Sequence, residues 1–150
     1  MTKTILFLIP FLAALMIGAS ISPALAKEPT QAIIANGVGA ILCPDGSIIN
    51  DVEFFLTASK TSKTGPVTVS FAYQKTGEFA AAIGDTNADG SFKTKKFNID
   101  STFAASAACV VGGAVDVFTI AVGSCGPNAQ VTWSNSFGEK GSYFANVLCF

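Results

Sequence analysis

The feature that most constrains this chain is an alternation of apolar and polar residues at every second position. In residues 67–74 the apolar side chains share one face and small polar residues share the other, with Val67, Val69, Phe71 and Tyr73 on the apolar face. Residues 52–58 repeat this pattern. A period of two is typical of a half-buried strand, whereas a helix repeats every third or fourth residue. The sequence therefore predicts an all-β chain.

Turn-forming residues separate these runs at intervals typical of a sandwich or a barrel. Clusters of Gly, Pro, Asn and Lys occur at residues 44–46, 60–66, 75–77, 112–113, 126–128 and 138–141. They divide the chain into about eight strands. We expect an antiparallel β-sandwich, with a small closed β-barrel as the alternative. Residues 101–108 lack the strand pattern, and their alanines are compatible with a short helical turn.

The first 26 residues have the layout of a secretory signal peptide. Lys3 lies in a short polar head, residues 5–21 are mostly apolar, and Ala24-Leu25-Ala26 forms a small-x-small cleavage motif. Cleavage after Ala26 would leave one β domain, residues 27–150, with no membrane span. We therefore expect a secreted or extracytoplasmic protein associated with the cell surface. The alternative is an uncleaved N-terminal membrane anchor, although a spanning helix needs ~20 apolar residues.

The four cysteines predict two disulfides. An even number of cysteines behind a signal peptide, without C-x-x-C spacing, indicates disulfides in an oxidising compartment and is a poor pattern for the alternative, a zinc site. If successive strands run up and down, Cys43 and Cys109 lie at one end of the domain and Cys125 and Cys149 at the other. This argument favours Cys43–Cys109 and Cys125–Cys149. A Greek-key crossover would remove this argument, and three connectivities are possible for four cysteines.

The composition excludes several kinds of chemistry. The sequence contains neither histidine nor arginine, so it cannot form Ser-His-Asp or Cys-His nucleophile systems, or arginine clamps for phosphate. Asp116 stands in an apolar strand, and we interpret it as an outward-facing carboxylate; the alternative is a buried group with a raised pKa. We expect no catalytic activity.

The charge pattern gives no indication of nucleic-acid binding. The formal net charge is −1. The one basic cluster, Lys93, Lys95 and Lys96, is typical of a solvated strand that discourages aggregation, with polyanion binding as the alternative. We expect a partner that is a protein or a cell-surface glycan.

The run DTNADGSF resembles the first half of a calcium loop, with Asp85, Asn87, Asp89 and Gly90 in the required positions. The twelfth position is Lys96, where an EF-hand has a bidentate glutamate, so an EF-hand is excluded. Asn and Asp followed by Gly are also typical of a hairpin turn. We interpret the run as a turn and expect no cofactor. Weak calcium binding by Asp85, Asn87 and Asp89 is the alternative.

The same stretch resembles the T-x-A-D-G-S-F hairpins of Ig-like β-sandwich modules on bacterial and archaeal surface proteins. The similarity covers TNADGSFKTKKFNID, residues 86–100. The wider layout, with GVGAILCPDGS, GSCGPNAQVTWSN and GEKGSYFANVLC, resembles small four-cysteine β-rich proteins secreted by archaea. These resemblances imply an adhesion, display or stalk role, and they assign no site residues.

We therefore expect a secreted or cell-envelope structural or interaction module. Trp133 is expected to anchor its core. One alternative is a barrel whose inward aromatic residues line a pocket for an apolar ligand. The other is an adhesion domain with weak calcium dependence.

Overall fold

The computed structural model describes the backbone of residues 31–150 and the side chains of residues 31–81, 91–100 and 106–150. The described chain forms β1 (Gln31–Leu42), β2 (Ile48–Lys60), β3 (Val67–Lys75), β4 (Phe79–Ser91), β5 (Lys96–Ser106), β6 (Ala114–Val122), β7 (Gly126–Asn135) and β8 (Lys140–Cys149). The prediction of an all-β chain with about eight strands is confirmed. The predicted signal peptide, residues 1–26, lies outside the described residues. Within residues 31–150 there is no helix with the length and hydropathy needed to cross a bilayer.

Strand pairing follows the order of the chain. Each strand pairs antiparallel with the next one, from β1 to β8. β8 also pairs with β1, where Val38 lies opposite Phe144, and this pairing closes the hydrogen-bonded ring. Because the strands run up and down in sequence, successive connections alternate between the two ends of the ring.

The strands of the ring have a buried inner face and an outer face exposed to solvent. Burial alternates residue by residue through most of β3 and β8. The inward side chains form one continuous apolar core to which all the strands with described side chains contribute. The period of two in the sequence thus encodes which face of each strand is buried.

Aromatic rings fill much of this core. Phe54 stacks on Tyr143 with ring centroids 4.7 Å apart, and Tyr73 stacks on Trp133 at 5.0 Å. Pairs in such offset geometry contribute about 0.5–1.5 kcal/mol beyond the burial of their area. Trp133 is only 3% exposed, which confirms it as a core residue.

Two disulfides join the ends of the strands. Cys43, which follows β1, bonds Cys109 in the β5–β6 connection, with Cα atoms 5.7 Å apart. Cys125, which precedes β7, bonds Cys149 at the end of β8, with Cα atoms 6.0 Å apart. This is the pairing that the up-and-down argument favoured. Two disulfides are typical of an oxidising, extracytoplasmic environment.

Two local expectations were wrong. The run that contains Asn87 and Asp89 continues as β4, because its backbone pairs with β3 on one side and β5 on the other. The chain reverses later, at residues 92–95, where Lys95 takes a positive φ of 52°. Residues 101–106 extend β5 and form no helical turn. In the first place pairing with β3 and β5 satisfies backbone groups that a local turn would leave to water, and in the second the pairs of Ala105 and Ser106 with β6 hold the end of the extended segment.

Candidate functional site

The predicted calcium ligands cannot be placed as a site. The backbone of Asp85, Asn87 and Asp89 lies within β4, and their side chains lie outside the described residues. Among the described side chains, no group of three or more cysteine or carboxylate residues is arranged to hold a metal ion. Calcium binding therefore stays a prediction.

Glu139 is a completely buried charged residue, with 0% exposure. Its Oε2 accepts a hydrogen bond from the backbone N–H of Cys109 at 2.7 Å, and its Oε1 accepts one from Asn135 Nδ2 at 2.9 Å. The Glu139 backbone N–H also donates to Asn135 Oδ1 at 3.0 Å. The carboxylate thus connects the β7–β8 hairpin to the loop held by the Cys43–Cys109 disulfide. This arrangement is structural, since both carboxylate oxygens accept from protein donors.

Sequence reasoning missed the role of Glu139. In the sequence it stands in a short polar hairpin, NSFGEK, where a carboxylate is normally solvated. The only local signal is the Asn four residues earlier, which closes the hairpin. Its other donor, Cys109, is 30 residues away in sequence.

Asp116 and the two tyrosines have ordinary structural roles. Asp116 is exposed, as the outward-facing interpretation predicted, and its Oδ1 accepts a hydrogen bond from Ser136 Oγ at 2.7 Å. Tyr143 donates from its hydroxyl to the backbone oxygen of Ala35 at 2.8 Å. Burial raises the pKa of Tyr143, and burial together with the negative charge of Glu139 raises the pKa of Tyr73. Both phenols therefore stay protonated to a higher pH than an exposed tyrosine does.

The outer face carries an apolar surface that we call the outer patch. It lies on the outward positions of β8, β1 and β2, and its most exposed members are Phe144 (63%), Ile48 (61%), Val38 (58%), Leu148 (45%), Leu42 (43%) and Phe55 (42%). Val38 pairs directly with Phe144, and Leu42 pairs with Ile48, so each pair forms a small apolar surface, and Ala40 lies between the two pairs on β1. Large exposed apolar side chains that cluster on adjacent strands are typical of interaction sites.

Two shallow grooves cross the outer face beside the patch. One, of about 340 Å³, runs over β5 to β8 and is lined by Lys96, Thr119, Ala121, Thr132, Trp133, Ser134 and Lys140. The other, of about 460 Å³, is lined by residues of β1, β7 and β8 together with Ile48. Both grooves include Thr132 and Lys140, so they are continuous. Sequence reasoning did not find this surface, because its two lysines are 44 positions apart along the chain (140 minus 96).

Comparisons of this chain with protein-family models, with curated proteins and with solved structures found no match.

Proposed function

We propose that this protein is an extracytoplasmic interaction module without catalytic activity, which binds a protein partner through the outer patch. In this proposal residues 1–26 are a signal peptide that directs export, and residues 27–150 are the working domain. The observation that carries the proposal is the direct pairing of exposed Val38 and Phe144 at the centre of an apolar surface.

The neighbouring outward positions support a protein as the partner. On β1 the residues that share the outward face with Val38 are Ile34, Asn36, Ala40 and Leu42, none of which is charged. Depletion of charge around large apolar side chains is typical of the centre of protein interfaces. This depletion holds along β1, whereas on β2 the charged Glu53 pairs directly with Val38, and Lys140 pairs with Leu42 at the edge of the patch.

We further infer that the architecture is a small closed barrel and not a sandwich. An Ig-like sandwich places non-consecutive strands side by side through Greek-key connections. The pairing in sequence order and the β1–β8 contact support the barrel. The resemblance to Ig-like surface modules stays a hypothesis about role, namely adhesion or display.

The packing of the interior favours an interaction module over an apolar-ligand carrier. Phe54 stacks on Tyr143, Tyr73 stacks on Trp133, and Phe54 contacts Trp133 at a tilt, so these rings occupy positions where a carrier would line its cavity. A carrier barrel encloses free volume for its ligand. The binding surface in our proposal is therefore the outside of the ring.

Capture of partners from the outer surface of the source cells tests the proposal. The tagged protein, Val38→Ser/Phe144→Ser and Val117→Ser would be compared for proteins captured after chemical crosslinking. Val117 is also exposed (42%) but lies on β6, away from the outer patch, so it is a matched control. We expect the double variant to capture roughly tenfold less of a specific partner than the wild-type protein does, or less still, as for central interface residues.

Two results would contradict the proposal. One is equal capture by the wild-type protein and the double variant when circular dichroism shows that both are folded. The other is an equal loss with Val117→Ser, because that would show that capture depends on general surface hydrophobicity.

A further inference from the structure

We propose that the groove over β5 to β8 binds an anionic polysaccharide, whose carboxylate or sulfate groups contact Lys96 and Lys140. This site goes beyond the protein-binding role of the outer patch. Its central residues lie outside the apolar members of the patch, although Lys140 also borders the patch and the extension of the groove reaches Leu42 and Ile48.

The first support is the placement of the two lysines. Lys96 pairs with Ala121, Ala121 pairs with Thr132, and Ser134 pairs with Lys140, so the lysines stand on the first and fourth of four adjacent strands. With strands about 4.8 Å apart, their Cα atoms are separated by roughly 15 Å, and both side chains border the same groove. The site therefore presents two cations at a spacing that suits repeated negative groups on a linear chain.

Hydroxyl groups between the lysines provide the second support. Thr119, Thr132 and Ser134 line the floor, and Thr119 pairs directly with Ser134. Hydroxyl side chains both donate and accept hydrogen bonds, as sugar hydroxyls do. The groove continues over Gln130 and Ser142 to Ala40 and Leu42, which extends it across a fifth strand. This extension offers room for several sugar units and an apolar contact for a sugar ring.

The local charge provides the third support. The described residues that line the two grooves include Lys96 and Lys140 and no carboxylate, although the chain as a whole has a net charge of −1. A positive groove on a negative protein attracts anions locally while the remaining surface repels them. The groove should therefore bind a ligand narrow enough to fit it, and the rest of the protein should repel an extended anionic surface.

The lining of the groove does not suit nucleic acid as the ligand. Single-stranded nucleic acids are bound by exposed aromatic side chains on which bases stack. The aromatic residue that borders this groove, Trp133, is 3% exposed, and its ring stacks inward on Tyr73. Hydrogen bonding by hydroxyl groups suits a polysaccharide better.

Titration calorimetry with defined oligosaccharides tests the site. The probes are hexagalacturonate and a sulfated heparin hexasaccharide, with maltohexaose as the neutral counterpart. We expect weak binding of at least one anionic probe, which becomes weaker as salt is raised, and none of the neutral probe. Lys96→Gln and Lys140→Gln should each weaken binding about fivefold, and the double variant should abolish measurable binding.

Lys63→Gln is the matched control, because it removes the same charge from an exposed position in the β2–β3 connection. It should bind the anionic probe as the wild-type protein does. Amide shifts in an NMR titration should centre on Thr119, Thr132 and Ser134. Failure of both anionic probes to bind, an equal loss with Lys63→Gln, or binding only to phosphatidylglycerol vesicles would overturn the proposal. Lys96 lies outside the patch and its edge, and Val38→Ser/Phe144→Ser keeps both lysines, so Lys96→Gln and this double variant distinguish a failure of the groove from a failure of the outer patch.

Discussion

At the scale of single residues, the ionisable groups inside this protein serve its architecture. Glu139 is held by two N–H donors, and the hydroxyl of Tyr143 donates to a backbone oxygen inside the ring. Tyr73 donates to the backbone oxygen of Ser106 at 3.3 Å. Buried polar groups with such partners fix the positions of the elements that they connect. Their contributions can be measured one residue at a time.

The two tyrosines should lose their phenolic protons at an unusually high pH. The chain contains only two, Tyr73 and Tyr143, which are 1% and 2% exposed. Burial raises the pKa of both above the ordinary value of about 10. The folded protein thus keeps protons that the unfolded chain releases. The stabilisation from the two phenols is complete below pH ~10 and declines as the pH rises above that value.

Ultraviolet absorbance of tyrosinate checks this prediction. We expect little absorbance change as the pH passes the ordinary value, followed by a rise that coincides with the loss of far-ultraviolet circular dichroism. Protein unfolded in guanidinium should titrate near pH 10. A smooth titration near that pH in protein that stays folded would contradict the burial of both rings.

Removal of the Glu139 carboxylate should destabilise the fold. Glu139→Ala leaves the N–H of Cys109 and the amide of Asn135 without these acceptors, and a buried donor without a partner costs about 1–3 kcal/mol. Urea unfolding should therefore show a lower free energy of unfolding, and the Cys109 amide should exchange faster. The control is Glu53→Ala, since Glu53 is exposed and bonds only an exposed Gln74 in the contacts described. Equal effects of the two variants would contradict the proposed role of Glu139.

At the scale of elements, the limits of sequence reasoning follow from the range of the interactions. The bounds of β3 are visible in the sequence because strict alternation between two turn motifs encodes them locally. The turn after β4 could not be predicted, since the Asn-Ala-Asp-Gly motif has a turn propensity that pairing with β3 and β5 overrides. Residues 101–106 likewise adopt their conformation as part of β5, whose ends pair with β6.

The close packing between elements could not be predicted from the sequence either. A Cβ on Gly141 of β8 would collide with the indole ring of Trp133 on β7, so this glycine provides the space for the largest core side chain. The indole Nε1 is buried there without a hydrogen-bond partner among the residues that the structure describes, a cost that the burial and stacking of the ring offset. A glycine within a strand indicates a close approach, but the sequence does not identify the neighbour.

At the scale of the molecule, closure of the ring is the property that no local pattern predicts. The contact between β1 and β8 joins the two ends of the described chain, for example Ile33 with Cys149. The up-and-down order of the strands nevertheless allowed the disulfide pairing to be predicted. Connections that follow odd-numbered strands lie at one end of the ring, and those that follow even-numbered strands lie at the other. The larger groove and the outer patch also depend on this contact, since both extend from β8 to β1, whereas the smaller groove lies over β5 to β8, which pair in sequence order.

The two disulfides should contribute unequally to the stability of this closed ring. Their cysteines are 66 and 24 residues apart, so chain entropy gives Cys43–Cys109 about 4.4 kcal/mol and Cys125–Cys149 about 3.5 kcal/mol. Cys43 is also buried, and the loop of Cys109 is bonded to Glu139, whereas Cys149 is exposed. Urea unfolding of Cys43→Ala/Cys109→Ala should therefore show a larger loss than Cys125→Ala/Cys149→Ala. The reverse order would mean that the ends of β7 and β8, and not the Glu139 network, limit the stability of the ring.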